Sequence, residues 1–157
     1  LLGFTEADGE GQDTMIDPIS EAEYRLRLAN EHLGRAEAYY EHGDWAGCVH
    51  YSQLAIENFA KAIISVFEVP TWSHDPSNQL MNVMNKVPEG LRGLVGELAR
   101  LSHEVAREHA RSTYGEPSSL LTPGMLYDRD YAGSMLNSTR RARDIAYSVL
   151  RQLGVDI

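Results

Sequence analysis

The chain is 157 residues long, 43% apolar and 24% charged, which fits one folded domain and excludes a disordered chain. A single cysteine, Cys48, excludes an internal disulfide framework and a cysteine-rich zinc site, and no apolar run approaches the roughly 20 residues of a membrane helix. The net charge of −9 sits mainly at the N-terminal end, where residues 1–23 carry seven acids and no base while residues 24–157 hold 14 bases against 16 acids.

The near-neutral body weakens any argument from overall acidity against an anionic ligand. Its bases are 12 arginines and two lysines. Guanidinium forks suit carboxylate and phosphate, although a general preference for arginine explains the same bias. The start lacks a positively charged, apolar signal pattern, so the expectation is a cytoplasmic protein without membrane attachment.

Residues 1–14, LLGFTEADGEGQDT, are acidic and glycine-rich without sustained periodicity. They are expected to be a flexible leader or a cloning remnant ahead of a single helical domain over 15–157. The alternative is a strap that packs Leu1, Leu2 and Phe4 onto a neighbour. From Ile19 a helix is expected, opened by a Ser20/Glu23 capping box with an Ile19–Tyr24 staple. Its stripe is Tyr24, Leu28, Ala29, Leu33, Ala36 and Tyr40. Gly43 supplies a left-handed C-cap and Asp44 caps the next helix. The short junction makes the first two helices antiparallel neighbours.

The second helix runs roughly from Trp45 to Glu68, with Glu57 and Lys61 as an i,i+4 pair. Pro70 stops it. Asp75 and Pro76 open a shorter helix to about Val87 that turns Leu80, Val83, Met84 and Val87 inward. A fourth helix carries Leu91, Leu94, Val95, Leu98, Leu101 and Val105. Residues 112–126 are broken by Gly115, Pro117, Pro123 and Gly124 and form the longest internal loop. The last helix starts near Tyr127 or Asp128 and ends at Gly154. The expected fold is an all-α, up-and-down bundle of four long helices plus one short helix.

No nucleotide-loop, Rossmann, zinc-protease or nucleophile-elbow motif is present. The six histidines do not pair at ligand spacing on one helix face, although His103 and His109 could meet others in space. No metal or cofactor is therefore expected. Cys48 reads as a buried structural thiol. The tyrosines at 24, 39, 40 and 51 are spaced to line one inter-helix surface, and they suit a core, a dimer interface or base stacking.

The most suggestive segment is residues 107–115, REHARSTYG. Arg107 and Arg111 are spaced to share a helix face, and His103 extends it one turn back. Such a face suits phosphate. Glu104 and Glu108 flank it and equally suit a solvated, salt-bridged surface. Arg140, Arg141 and Arg143 form a second cluster, too short and too diluted by acids to argue for duplex nucleic acid.

Four segments together resemble the HEPN family. They are ANEHLGRA at 29–36 with Tyr39, Tyr40 and the Gly43-Asp44-Trp45 turn; CVHYSQ at 48–53 continuing to Glu57 and Lys61; His74-Asp75 ahead of Leu80; and ARSTYG at 110–115. The Gln53–Glu57–Lys61 spacing inside an apolar helix is the most characteristic of them. The resemblance spans about residues 20–153.

It implies a helical bundle that often forms a homodimer, and a link to nucleotides, RNA or a nucleotidyltransferase partner in a toxin–antitoxin pair. Many members are ribonucleases that carry arginine, four to six residues, then histidine near the start of the last long helix. This sequence departs from that pattern, since no histidine follows His109. The spacing does occur at Arg25 or Arg27 to His32 and at Arg35 to His42, inside the first helix, where chance matches are expected.

The resulting expectation is a catalytically silent HEPN-type module that binds a nucleotide, RNA or a nucleotidyltransferase. Arg107 and Arg111 would pair phosphate, Tyr114 would stack, and His103 and His74 would add contacts. Glu57 and Lys61 are expected to hold the bundle together. The alternatives are a metal-independent ribonuclease with a displaced His/Arg site and a purely structural adaptor.

Overall fold

The computed structural model describes residues 4–7 and 13–157. Two four-residue strands, β1 (Phe4–Ala7) and β2 (Asp13–Ile16), pair antiparallel, with Phe4 opposite Ile16 and Ala7 opposite Asp13. Such short strands carry too few alternations to be legible in sequence. Of the segment expected to be a leader, residues 1–3 and 8–12 lie outside the described residues, Leu1 and Leu2 of the alternative strap among them.

The rest is an all-α bundle. Helix α1 (Pro18–Glu41) starts earlier than the expected Ser20 cap. Asp17 caps it, accepting from the Ile19 and Ser20 backbone N–H groups and from Ser20 Oγ at 2.8 Å. Pro18 occupies the first helical position, where its missing N–H costs nothing. The Ser20 hydroxyl is thus engaged with Asp17 inside the first turn. At the other end Gly43 takes φ +76°, and Asp44 caps α2 (Trp45–Ser65) through the Gly47 N–H at 2.8 Å. Both features follow the expected junction.

Helix α2 is central: 15 of its 21 residues are buried. α1 packs along it and α7 (Arg129–Gln152) covers another side. Ile56, Phe59, Ile63 and Ile64 are fully enclosed, each stabilising the fold by roughly 1.5–3 kcal/mol. Six polar side chains, Ser52, Gln53, Glu57, Asn58, Lys61 and Ser65, are buried on the same helix. Burial costs least where such groups find hydrogen-bond partners.

α3 (Ser77–Asn82) is shorter than expected, because the chain tightens into a 3-10 turn at Met84–Lys86. Asp75 still serves its start, accepting from the Ser77 N–H at 3.0 Å. Leu80, Val83 and Val87 are buried as expected. α4 (Arg92–Ala106) ends at a turn at Arg107, and α5 (Glu108–Tyr114) follows it, packed against α2. His103 and Arg111 therefore do not share one continuous helix.

The expected loop holds a 3-10 turn at Pro117–Ser119 and the one-turn α6 (Pro123–Leu126). Asp128 caps α7 through the Tyr131 N–H at 2.8 Å. Among the described residues no helix is long and apolar enough to cross a membrane.

Candidate functional site

The polar row of α2 organises one site. Gln53, Glu57 and Lys61 recur every four residues, so they lie along one line of the helix. Lys61 Nζ donates to Glu57 Oε2 at 3.3 Å, with both side chains under 10% exposed. Gln53 Nε2 donates to Glu57 Oε1 at 3.3 Å and to the His74 carbonyl at 3.4 Å. Two histidines from other elements close over this row. His74 Nδ1 donates to Glu57 Oε1 at 3.0 Å, and His109 Nδ1 donates to Gln53 Oε1 at 3.1 Å. Their rings stack, with centroids 3.6 Å apart and planes 16° from parallel. Burial, and then the neighbouring His74, hold the His109 imidazole below its ordinary pKa. A charge on His74 at that separation disfavours a second charge on His109.

A second, aromatic surface adjoins it. His50 on α2 contacts Ser112 Oγ on α5 at 2.9 Å, and its ring lies 5.9 Å from His109. Tyr51 meets His50 edge-on and stacks on Tyr39 of α1, at 5.5 Å and 6° from parallel. The Arg35 guanidinium sits 5.7 Å from the Tyr51 ring centroid. Arg35, Ala38, Tyr39, His42, Asp44 and Tyr51 line an open groove of about 510 Å³. Tyr40 instead faces Trp45, and Tyr24 is exposed elsewhere on α1 beside Arg25. The four tyrosines therefore do not form one surface.

Gly47 makes the Tyr39 position possible, since a Cβ there would lie 2.7 Å from the Tyr39 ring. His32 lies under Tyr51, and its Nδ1 is buried without a hydrogen-bond partner among the described residues. Burial first, then Arg35, lower its pKa.

The sequence candidates fall in three places. His103 and Arg107 line a shallow groove with Asp75, and His103 Nδ1 lies 2.8 Å from Asp75 Oδ2. His74 belongs to the α2 row already described. Arg111 donates to Glu108 Oε1 at 2.9 Å and to Glu116 at 3.0 Å, and Arg107 approaches the same Glu108 oxygen at 3.4 Å, so the two arginines meet at that carboxylate. Tyr114 is exposed at the end of α5.

Glu108 is no part of a solvated surface. It is 1% exposed and accepts from the Tyr127 and Tyr131 hydroxyls at 2.5 and 2.7 Å as well as from Arg111. Glu104 is exposed and 3.8 Å from Arg100. Burial, reinforced by Glu108, raises the Tyr127 phenol far above its ordinary pKa. These bonds tie α5 to α7 and so hold His109 and Ser112 against α2. Cys48 is buried beside the Ala132 carbonyl, and burial raises its thiol pKa.

Sequence reasoning singled out the Gln53–Glu57–Lys61 row but did not bring His109 to it. It noted Tyr39 and Tyr51 as rings suited to stacking and the Arg35–His42 spacing, but did not join them into one groove. The polar row was legible because three polar residues recurring along an otherwise apolar helix require partners from elsewhere in the chain.

A family model of the HEPN domain matches residues 22–149. No curated protein matches the chain. Among solved structures, the protein TT1696 from Thermus thermophilus is similar at 20% identity and a TM-score of 0.63, covering 83% of this chain and 98% of that one. At that identity the likeness concerns the fold.

Proposed function

Because the chain belongs to the HEPN domain family, we propose that it is a binding module that takes a nucleotide or a single-stranded RNA segment across the face shared by α1, α2 and α5. The observation that carries this reading is the stacked Tyr39–Tyr51 pair beside Arg35 in an open groove. Exposed aromatic rings stack on any base, contributing about 1–3 kcal/mol per base. A neighbouring guanidinium pairs phosphate with its fork of donors. Tyr39 is the accessible ring, and Tyr51 backs it.

His103 and Arg107 supply a further phosphate contact beside Asp75, His74 borders the α2 row, and Tyr114 offers a second stacking ring. Arg111 has the lesser part at the ligand, because Glu108 and Glu116 already occupy its donors. It positions α5.

The test is fluorescence anisotropy of a labelled oligouridylate, with AMP as competitor and EDTA present. Tyr39→Ala should weaken binding about 5- to 150-fold, the equivalent of one stacked base. Arg35→Ala should weaken it and flatten the salt dependence by about 0.7 in slope. Absence of RNA and nucleotide binding, together with a stable complex with a nucleotidyltransferase, would replace this reading with a protein-partner module.

A second reading, metal-independent RNA cleavage, is favoured by one observation. Arg35 and His42 are separated by six residues and line the same groove. His42 Nδ1 lies 2.8 Å from the Ala38 carbonyl, which leaves Nε2 for proton transfer while Arg35 offsets charge on the phosphate. RNA cleavage in EDTA that is lost in His42→Ala would establish it.

A further inference from the structure

We propose that Glu57, His74 and His109 form a binding site for a divalent transition-metal ion of the zinc class. Each offers one ligand atom, and the three atoms lie within 4.8 Å of one another. They come from three separate parts of the chain: the middle of α2, the irregular segment before α3, and the first turn of α5.

The spacing suits the ion. His74 Nδ1 and Glu57 Oε1 are 3.0 Å apart and share one proton. Ligands about 2.0–2.1 Å from a tetrahedral zinc stand roughly 3.3 Å from each other. The Glu57–His74 separation is therefore within a few tenths of an ångström of that spacing before either ring turns. The ring's single proton passes through solvent from Nδ1 to Nε2, so His74 stays neutral and its Nδ1 lone pair is free for the ion.

The surroundings already hold the ligands in place. Gln53 Oε1 accepts from His109 Nδ1, which fixes the tautomer and leaves the His109 Nε2 lone pair as the ligand. This is the outer hydrogen bond that metal-binding histidines ordinarily make. Gln53 Nε2 and Lys61 Nζ bond the Glu57 carboxylate, so its side chain needs no ordering when the ion arrives. Lys61 sits on Oε2, the oxygen not facing His74. Its positive charge opposes a cation and sets the affinity below that of a site without it.

One movement is required. A single ion cannot lie in the planes of two parallel rings, so one must turn out of the stack. His74 is the ring with room, since its side chain is 53% exposed and sits outside any helix. Two imidazoles and one carboxylate select zinc, cobalt or nickel over magnesium and calcium, which take oxygen ligands. Three protein ligands also leave a coordination position for water or an anionic oxygen.

The site is distinct from the Tyr39–Tyr51 groove, and its test uses metal alone. The metal-free full chain is titrated with Co2+, with visible d–d absorption and calorimetry as readouts. The expected result is one equivalent of low-symmetry cobalt, displaced by Zn2+. His74→Ala and His109→Ala should each weaken it at least about tenfold, while the exposed-site variant Glu104→Ala leaves it unchanged. His74→Ala is the decisive variant, because an exposed ring is removed without disturbing the buried Glu57–Lys61 pair, and circular dichroism confirms its fold. Absence of cobalt d–d bands, binding that survives both His74→Ala and His109→Ala, or binding lost in Glu104→Ala would each overturn the proposal.

Discussion

Replacing Glu108 by alanine tests how α5 is held. Its carboxylate is 1% exposed and accepts from two tyrosine hydroxyls and Arg111. In Glu108→Ala the Tyr127 hydroxyl, buried at 7% exposure, loses its acceptor at a cost of about 1–3 kcal/mol. Tyr131 is 37% exposed, so water replaces most of its loss. Arg111 keeps Glu116, which spares the larger penalty of about 3–5 kcal/mol for an orphaned buried charge. A small void adds to the sum, giving about 2–4 kcal/mol. For a domain of this size that corresponds to a fall in Tm of about 5–15 °C.

The assay is thermal unfolding followed by circular dichroism, with Glu104→Ala as the control. That exposed residue, 3.8 Å from Arg100, should change stability by under about 1 kcal/mol. Glu108→Gln preserves volume and one acceptor oxygen and should fall between the two. If Glu108→Ala shifts Tm no more than Glu104→Ala, the reasoning is refuted, and α5 is held by something other than this carboxylate.

Gly115 has φ +73°, and a Cβ there would lie 2.0 Å from the Leu121 carbonyl. Gly115→Ala should therefore destabilise by more than the roughly 1–2 kcal/mol of left-handed strain, whereas Gly124→Ala, with open space around it, should not. Equal Tm values would contradict this. His32 has a folded pKa below its ordinary value, owing to burial and then Arg35. Folding thus favours its neutral form: that contribution is whole above about pH 6.5 and is lost as pH falls toward the folded pKa. A proton NMR titration should place the His32 midpoint below about 6.5, and a higher midpoint would refute the assignment. Cys48 should resist Ellman's reagent in the native protein and react with one equivalent in denaturant; rapid native reaction would contradict its burial.

Local signals made most of the bundle legible. The Gly43–Asp44 junction, the start of α7 near Asp128 and the apolar stripe of α4 are written within a few residues of where they act. Asp17 escapes a sequence reading because Ser20 and Glu23 imitate a cap equally well, and only the folded backbone decides between them. The turn at Arg107 has no glycine or proline to mark it. Glu108 reads as solvated because its partners, Tyr127 and Tyr131, lie 19 and 23 residues away. The His74–His109 stack joins residues from different elements, which no periodicity reports. What the sequence did mark was the buried Gln53–Glu57–Lys61 row, whose need for partners those histidines meet.

The central claim is that a nucleotide or RNA segment lies over Tyr39 and Tyr51. The most direct measurement is a two-dimensional amide NMR titration of the full chain with a short single-stranded RNA in EDTA. The account predicts saturable shifts concentrated at Arg35–Tyr39 and Asp44–Tyr51, with weaker ones near His103 and Arg107. No shifts at saturating RNA, or shifts confined to the separate groove around Tyr147 and Arg151, would contradict it.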